Sequence, residues 1–450
     1  MKMSAENLRV VKVSPGKGGR YVLYWAFGAF RVNYNPSLCF AISLANKLHL
    51  PLIVLVVIDF TFPTLKGRSF KFFIEGLRDF QQGLTERKIG FHLRIGSIKG
   101  IFSKYYGDAG FIVTDVSYLP GIRNRQKEIY SMSNAEIYEV DANLLVPVWI
   151  ASKKREVGAY SLRPKIRKVY RNFMNFEEVD YRGSYIESVA ELSFDELMKK
   201  AAEGFDEVLP ETPLKGGEGE AKRLLRKFLN EKFYKFAELR SDPSEDVESK
   251  LSPYLHFGHI SPLEILKEAA KIDCDPENFD VLFEQLVVRR ELAHNFTYYS
   301  EKLEKISDFL PEWAYQSLKM HCKDQRPYLY SLYELENART HDPYWNAAQR
   351  ELIYSGKIHN YMRMYWGKKI IEWTESPEIA YDIMCYLNNK YALDGWDSNS
   401  YAGIGWCFGL HDRPFRERSV FGKVRYMSEK GLEEKFEMEK YLQRISLLGG

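Results

Sequence analysis

Between residues 21 and 150, short apolar runs alternate with longer mixed stretches. YVLYW (21–25), LIVLVVI (52–58), FHLRI (91–95), FIVTD (111–115) and EIYEV (136–140) are β-rich runs, which predicts five strands. The stretches between them are long enough for crossover helices. LIVLVVI is apolar at every position, as a strand covered on both faces must be, so the sheet should be parallel, doubly wound and Rossmann-like. From Glu218 the period changes: AKRLLRKFLNEKFYKF, FDVLFEQLVVRRELAHNF, DPYWNAAQRELIYSG and HNYMRMYWGKKIIEW repeat apolar residues at helical spacing, with no comparable strand run. An all-helical domain is expected there. Residues 151–215 are polar and mixed, and end in Pro210, Pro213 and the turn cluster Lys215, Gly216, Gly217. The expected layout is an α/β domain over 1–150, a connection over 151–215 and a helical domain over 216–450. Asp342 and Pro343 make an N-cap and first-turn pair that puts Trp345 in the first turn of its helix.

Composition narrows the class. The chain has 450 residues, 45% apolar and 28% charged, the balance of a globular protein with two or three domains rather than a disordered one. Lys plus Arg number 64 against 61 for Asp plus Glu, so any contact with nucleic acid must come from local clustering. With 30 Tyr, 28 Phe and 8 Trp, there are enough rings for stacking surfaces besides the core. The five cysteines form no CxxC pair, which argues against a disulfide framework and against a zinc or iron-sulfur cluster, and no metal is expected. The longest apolar run, residues 50–58, is too short to span a membrane, and residues 1–12 lack an apolar leader segment. A cytoplasmic protein is expected.

Motif by motif, the residues say less. PGKGGR (15–20) precedes a strand and has neither GxxxxGK[ST] nor GxGxxG spacing, so it reads as a loop. His256 and His259 lack further ligands nearby and read as a packed or hydrogen-bonded pair. No nucleophile elbow is present. Five of the eight tryptophans lie between 345 and 406. Trp366 and Trp373, seven apart, would share a helix face at a spacing of about 10 Å that suits electron hopping, although spacing alone favours core packing. Arg363, among aromatic residues, needs a carboxylate, phosphate or ring face as partner.

SKLSPYLHFGHIS (249–261), VVRRELAHNF (287–296), residues 340–373, YLNNKYALDG (386–395) and FGKVRYM (421–427) resemble, in order, the signatures of class II cyclobutane pyrimidine dimer photolyases, of the photolyase/cryptochrome family. VLYW, VTDVS, VDANLLVPVW and LRPKI in the first half resemble the same family's N-terminal domain. The resemblance implies an α/β domain followed by a helical domain enclosing FAD. It also implies light-driven repair in which photoexcited, fully reduced FAD lends one electron to a dimer flipped out of DNA. By matching positions, Ser249, Leu251 and Ser252 would grip the FAD diphosphate. His359, Asn360 and Arg363 would line the flavin, with Asp394 as the arginine's partner and Asn388 facing flavin N5. Trp345, Trp366 and Trp373 match the tryptophan relay, and Trp406 an aromatic residue flanking the dimer. Gln285 holds a dimer-binding position, and Arg413, Phe415, Arg416 and Arg425 fall in a basic DNA-binding segment. The implied partner is damaged DNA, double- or single-stranded, met by a monomer in the cytoplasm, or in the nucleus if the source is eukaryotic.

The sequence also departs from the family. Gln285 stands where a second Glu is usual, and Phe415 where a Trp follows the HDR motif. The stretch between Trp406 and His411 is one residue short. In AFGAFRVNYN (26–35), Phe27, Gly28 and Ala29 replace charged residues, which argues against binding of an antenna chromophore, a deazaflavin or another. These departures leave an alternative: a photolyase-like flavoprotein acting as photoreceptor or redox sensor, with weak or no dimer repair.

Overall fold

The structure, a computed structural model, describes residues 8–61, 67–203 and 209–448. Of the N-terminal stretch read as leaderless, residues 1–7 lie outside the described residues. Seven strands form one sheet: β1 (Val10–Ser14), β2 (Tyr21–Trp25), β3 (Leu52–Ile58), β4 (Gly90–Ile95), β5 (Ala109–Asp115), β6 (Glu136–Val140) and β7 (Val189–Ala190), in the order β1-β6-β5-β2-β3-β4-β7. The five expected strands are the parallel interior. The two edges were not foreseen. β1 runs antiparallel to β6, with Val10 opposite Val140, so the sheet is mixed at that edge. β7 adds a short parallel strand beyond β4.

Helices cover both faces, and the alternation of β2 and β3 shows why these strands are apolar throughout. Val22, Tyr24, Val54 and Val56 point into one cluster, and Leu23, Trp25, Ile53 and Leu55 into another. The first face packs under α1 (Pro36–Leu48) and α2 (Gly67–Glu86), the second under α3 (Pro120–Tyr130). The chain reverses direction across the sheet between β2 and β5, where such sheets usually leave a crevice at the carboxyl ends of the strands. Asp115, closing β5, fills part of it: its carboxylate accepts from the backbone N–H groups of Phe27, Gly28 and Ala29 and from the hydroxyls of Tyr24 and Ser37.

Residues 151–215 carry α4 (Ala159–Val169), β7 and α5 (Phe194–Glu203), the last packed on α2. The helical part begins with α6 (Glu218–Glu231), α7 (Pro262–Ala269) and α8 (Pro276–Phe283). A π-helical turn, Glu284–Arg289, joins α8 to α9 (Arg290–Tyr298). Then follow α10 (Glu312–Met320), α11 (Pro343–Ser355), α12 (Asn360–Glu372), α13 (Pro377–Tyr391), α14 (Ser398–Cys407) and α15 (Met438–Ser446). Asp342 caps α11 as expected, accepting from the N–H groups of Tyr344 and Trp345. Trp373 is not inside the helix of Trp366 but caps the end of α12.

Two cores divide this half. Residues up to Leu292, joined by Leu393, share one cluster with the sheet face under α2, while the other buried apolar residues from Ala293 onward build a second cluster around α11–α14. No helix among the described residues is long and apolar enough to cross a membrane. All five cysteines are free, and no cluster of metal-ligating residues occurs among the described residues.

Candidate functional site

A cavity of about 540 Å³ opens on the seam between the two cores. Leu282, Leu286 and Leu292 form its apolar wall, and the loop 248–252, α12 and α14 form the polar one. Of the residues that the resemblance assigns to FAD, Ser249, Leu251, Ser252, Asn360, Arg363 and Asp394 line it. Lys250 adopts a left-handed backbone (φ 58°), turning the loop between the two serines.

The expected pairing of Arg363 with Asp394 is not what the structure forms. Arg363 donates to the Asn388 Oδ1 at 2.7 Å, because Asn388 on α13 packs directly against α12 while Asp394 enters from the loop beyond the helix. Asn388 in turn donates to Ser400 at 3.0 Å, and Ser400 to the Asp394 carbonyl at 3.0 Å. Asn388 is buried behind Arg363 and is not among the cavity-lining residues, while the Asp394 Oδ1 is buried without a partner. His359 is likewise buried outside the lining: it caps α12, accepting from Tyr361 N–H at 3.3 Å, and its Nε2 has no partner.

Glu248, Lys357 and Asp397 were not singled out in the sequence, and His256 was read there only as packed or hydrogen-bonded. Glu248 is held at about 2 although burial acts in the opposite direction, because the Lys357 ammonium sits against it. His256 bonds Asp397 at 3.0 Å and, with burial opposing, keeps that carboxyl far below its ordinary range. His256 and Asp397 also line a second cavity, of about 170 Å³, at the carboxyl ends of the strands beside Phe27 and Gly28. Glu248 and Asp397 lie just outside the motifs, and nothing local marks either pair, since the partners lie over a hundred positions apart.

At the mouth stand Gln285 and Arg289 from the π-helical turn, a distortion that recurs at functional sites. The Arg289 guanidinium lies 5.3 Å from the Trp406 ring and donates to Glu284, which Arg163 also grips through two bonds of 2.9 and 2.7 Å. Burial brings His411 down to about 4, and its Nδ1 bonds the Val157 carbonyl group at 2.8 Å. Beyond it Arg413, Phe415, Arg416 and Arg425 are exposed and do not line the cavity. Their segment is fastened to α10 and the loop after it: Lys423 N–H donates to Ser317 at 2.7 Å, and Val420 N–H to Asp324 at 2.9 Å. His321 bridges Asp324 (2.7 Å) and Glu417 (3.1 Å), and those two carboxylates raise its pKa.

Behind Arg363 the three tryptophans are buried together. Trp366 donates to the Gln349 side chain at 2.9 Å and Trp345 to the Trp366 carbonyl at 2.9 Å, while the Trp345 and Trp373 rings meet at 5.7 Å.

Residues 22–182 match the DNA photolyase family. Over 98% of this chain and 98% of its own, the deoxyribodipyrimidine photo-lyase of Methanothermobacter thermautotrophicus is 43% identical. The chain belongs to the DNA photolyase family. Solved photolyases share the fold. A bacterial class III photolyase from Agrobacterium tumefaciens superposes with a TM-score of 0.71 at 17% identity, covering 96% of this chain and 87% of its own. An archaeal photolyase from Sulfolobus tokodaii, solved with two FAD molecules, gives 0.70 at 16% identity, covering 94% and 89%. In this photolyase, then, the residues assigned by resemblance fall into three groups: those lining the seam cavity, those packed directly behind Arg363, and those on the exposed C-terminal segment.

Proposed function

We propose that this photolyase is a class II enzyme that splits cyclobutane pyrimidine dimers in DNA under light, acting as a monomer with FAD bound noncovalently in the seam cavity. The observation that carries this reading is the cavity itself, which joins a polar wall of Ser249, Asn360, Arg363 and Asp394 to a mouth bearing Gln285 and Trp406. FAD suits this donor set: hydroxyls and N–H groups of the 249–252 loop for the diphosphate, and the unpartnered Asp394 oxygen and fixed Arg363 for a polar ring edge. Bound and fully reduced, FAD supplies a photoexcited electron that is lent to the dimer and returned after ring opening.

The chain's own residues do the rest. Arg363, oriented by Asn388, holds a fixed positive charge at the cavity wall. Gln285 donates through its amide to a pyrimidine carbonyl of the extruded dimer, and Trp406 offers a stacking face. Trp366, Trp345 and Trp373 provide the path by which an external reductant recharges the site. Arg413, Arg416 and Arg425 take backbone phosphates. An antenna chromophore fits less well, since the N–H groups of Phe27, Gly28 and Ala29 are already bonded to Asp115.

Gln285, an amide where the family usually carries a carboxyl, favours a second reading as a photoreceptor or redox sensor. The discriminating experiment irradiates the reduced holoprotein with a dimer-containing oligonucleotide under blue light and follows release of monomeric pyrimidines. Light-dependent repair with turnover is expected. Flavin photochemistry without restored pyrimidines would transfer the protein to the second reading.

A further inference from the structure

From His411 the rim of the cavity runs onto residues 153–171, through the bond between its imidazole and the Val157 carbonyl group. α4, which follows, packs against the π-helical turn carrying Gln285 and Arg289, and Arg163 ties the two together through Glu284. This stretch holds eight lysines and arginines and a single carboxylate, Glu156. Three of the cations are engaged inside the protein: Arg163 with Glu284, Lys165 with Glu156, and Arg155 with the Phe309 carbonyl. The other five, Lys153, Lys154, Arg167, Lys168 and Arg171, are exposed. Cations in the last turn of a helix are favoured by its dipole, which would account for Arg167 and Lys168 alone. Lys153 and Lys154 precede α4 and lie beyond that explanation.

Two exposed apolar side chains stand on the same edge. Val157 is 64% exposed and Tyr160 68% exposed. The Tyr160 ring lies along Gly158, where a Cβ would come within 3.3 Å of it, so the ring rests on the loop backbone with its outer face open to solvent. An open aromatic face flanked by exposed cations at the mouth of a cavity is what single-stranded or unstacked nucleic acid meets in a binding groove. A solvated polar face would not need the exposed ring and valine.

We propose that residues 153–171 form a second DNA-contacting edge. Val157 and Tyr160 pack against the unstacked nucleotides beside the extruded dimer, and the exposed cations of this stretch contact phosphates of the flanking duplex. This inference rests on the repair reading above, and it assigns a role to a segment whose sequence looked like a connection.

The test measures dark binding of the full-length holoprotein to a duplex with one dimer and to the same duplex undamaged, across a salt series. Neutralising Arg167 and Lys168 together (Arg167→Ala with Lys168→Ala) should weaken both duplexes alike and reduce the salt slope of log affinity by about 2, since each phosphate contact contributes about 0.9. Tyr160→Ser should weaken the dimer duplex by about tenfold, the loss expected for one stacking partner, and affect the undamaged duplex little. Unchanged FAD absorbance in both variants controls for folding. If wild-type protein prefers the dimer duplex while neither variant changes slope or preference, the proposed edge is wrong. If wild-type protein shows no preference for the dimer, the repair reading fails instead.

Discussion

The two aromatic sets of the helical half differ in what covers them. Trp366, Trp345 and Trp373 are 3%, 0% and 1% exposed, and the first two spend their indole N–H groups on protein acceptors. Trp406 and Phe415 stand at or beyond the cavity mouth, Phe415 37% exposed and held through its backbone to Lys423. An indole whose polar handle and both faces are satisfied internally is fixed in distance to its neighbours, which electron transfer requires. A ring left partly open keeps a face for a ligand. On the proposed reading the same side-chain type would serve two tasks, and burial separates the two sets where sequence spacing does not.

The largest expected effect breaks the buried set. Trp366→Phe should abolish photoreduction of oxidised FAD by an external reductant, because a phenyl ring is much harder to oxidise than an indole. Protein reduced chemically beforehand should still repair dimers. The variant also strands the buried Gln349 oxygen at a cost of about 1–3 kcal/mol, visible as a lower thermal midpoint. Photoreduction at the wild-type rate would remove Trp366 from the path. Next in size, Trp406→Ala should weaken binding of a dimer duplex by about tenfold or more while leaving photoreduction intact. A loss of photoreduction in that variant would erase the distinction between the two sets.

A smaller effect concerns how the exposed segment is held. Asp324 and Glu417 raise the pKa of His321, so its contribution to stability is complete below its unfolded value of about 6.5 and is lost as pH climbs through the higher folded value. DNA affinity and the denaturation midpoint should both fall over that range. In His321→Gln, the His321 share of both dependences should be absent. An identical pH profile in wild type and variant would show that the clasp does not position the segment. The smallest change is expected from Gln285→Glu: repair per photon equal or slightly higher, with photoreduction unaffected. Arg289 and Arg240 line the same cavity and would keep a new carboxyl ionised, which limits its value as a proton-bearing donor. A sharp loss of repair would mean that the pocket is built around the amide.

The interior strands were legible because burial on both faces leaves an uninterrupted apolar run. The edges were not: Val10–Ser14 is largely exposed, its Lys12 paired with Glu136, and Val189–Ala190 is only two residues long. At the site, the motifs do not show how the residues pair. Arg363 and Asp394 both reach the cavity, yet a neighbouring helix supplies Asn388 first. Nothing local marks Val157 as part of the mouth, since His411 is 254 positions away.

The cluster shared by the sheet and the first helices bears on cooperativity. Val22 and Tyr24 of β2 belong to the same buried cluster as Leu251, Leu282, Leu286 and Leu292, which wall the cavity. The junction is pinned as well: Gly216 lies so close to α2 that a Cβ would meet the Phe72 carbonyl oxygen at 1.8 Å, and its N–H donates to Glu75 at 2.7 Å. A cut before residue 216 would divide the chain without dividing the core. The sheet and the cofactor-sized cavity should therefore melt in a single transition, and loss of the α/β half should unmake the cavity wall with it.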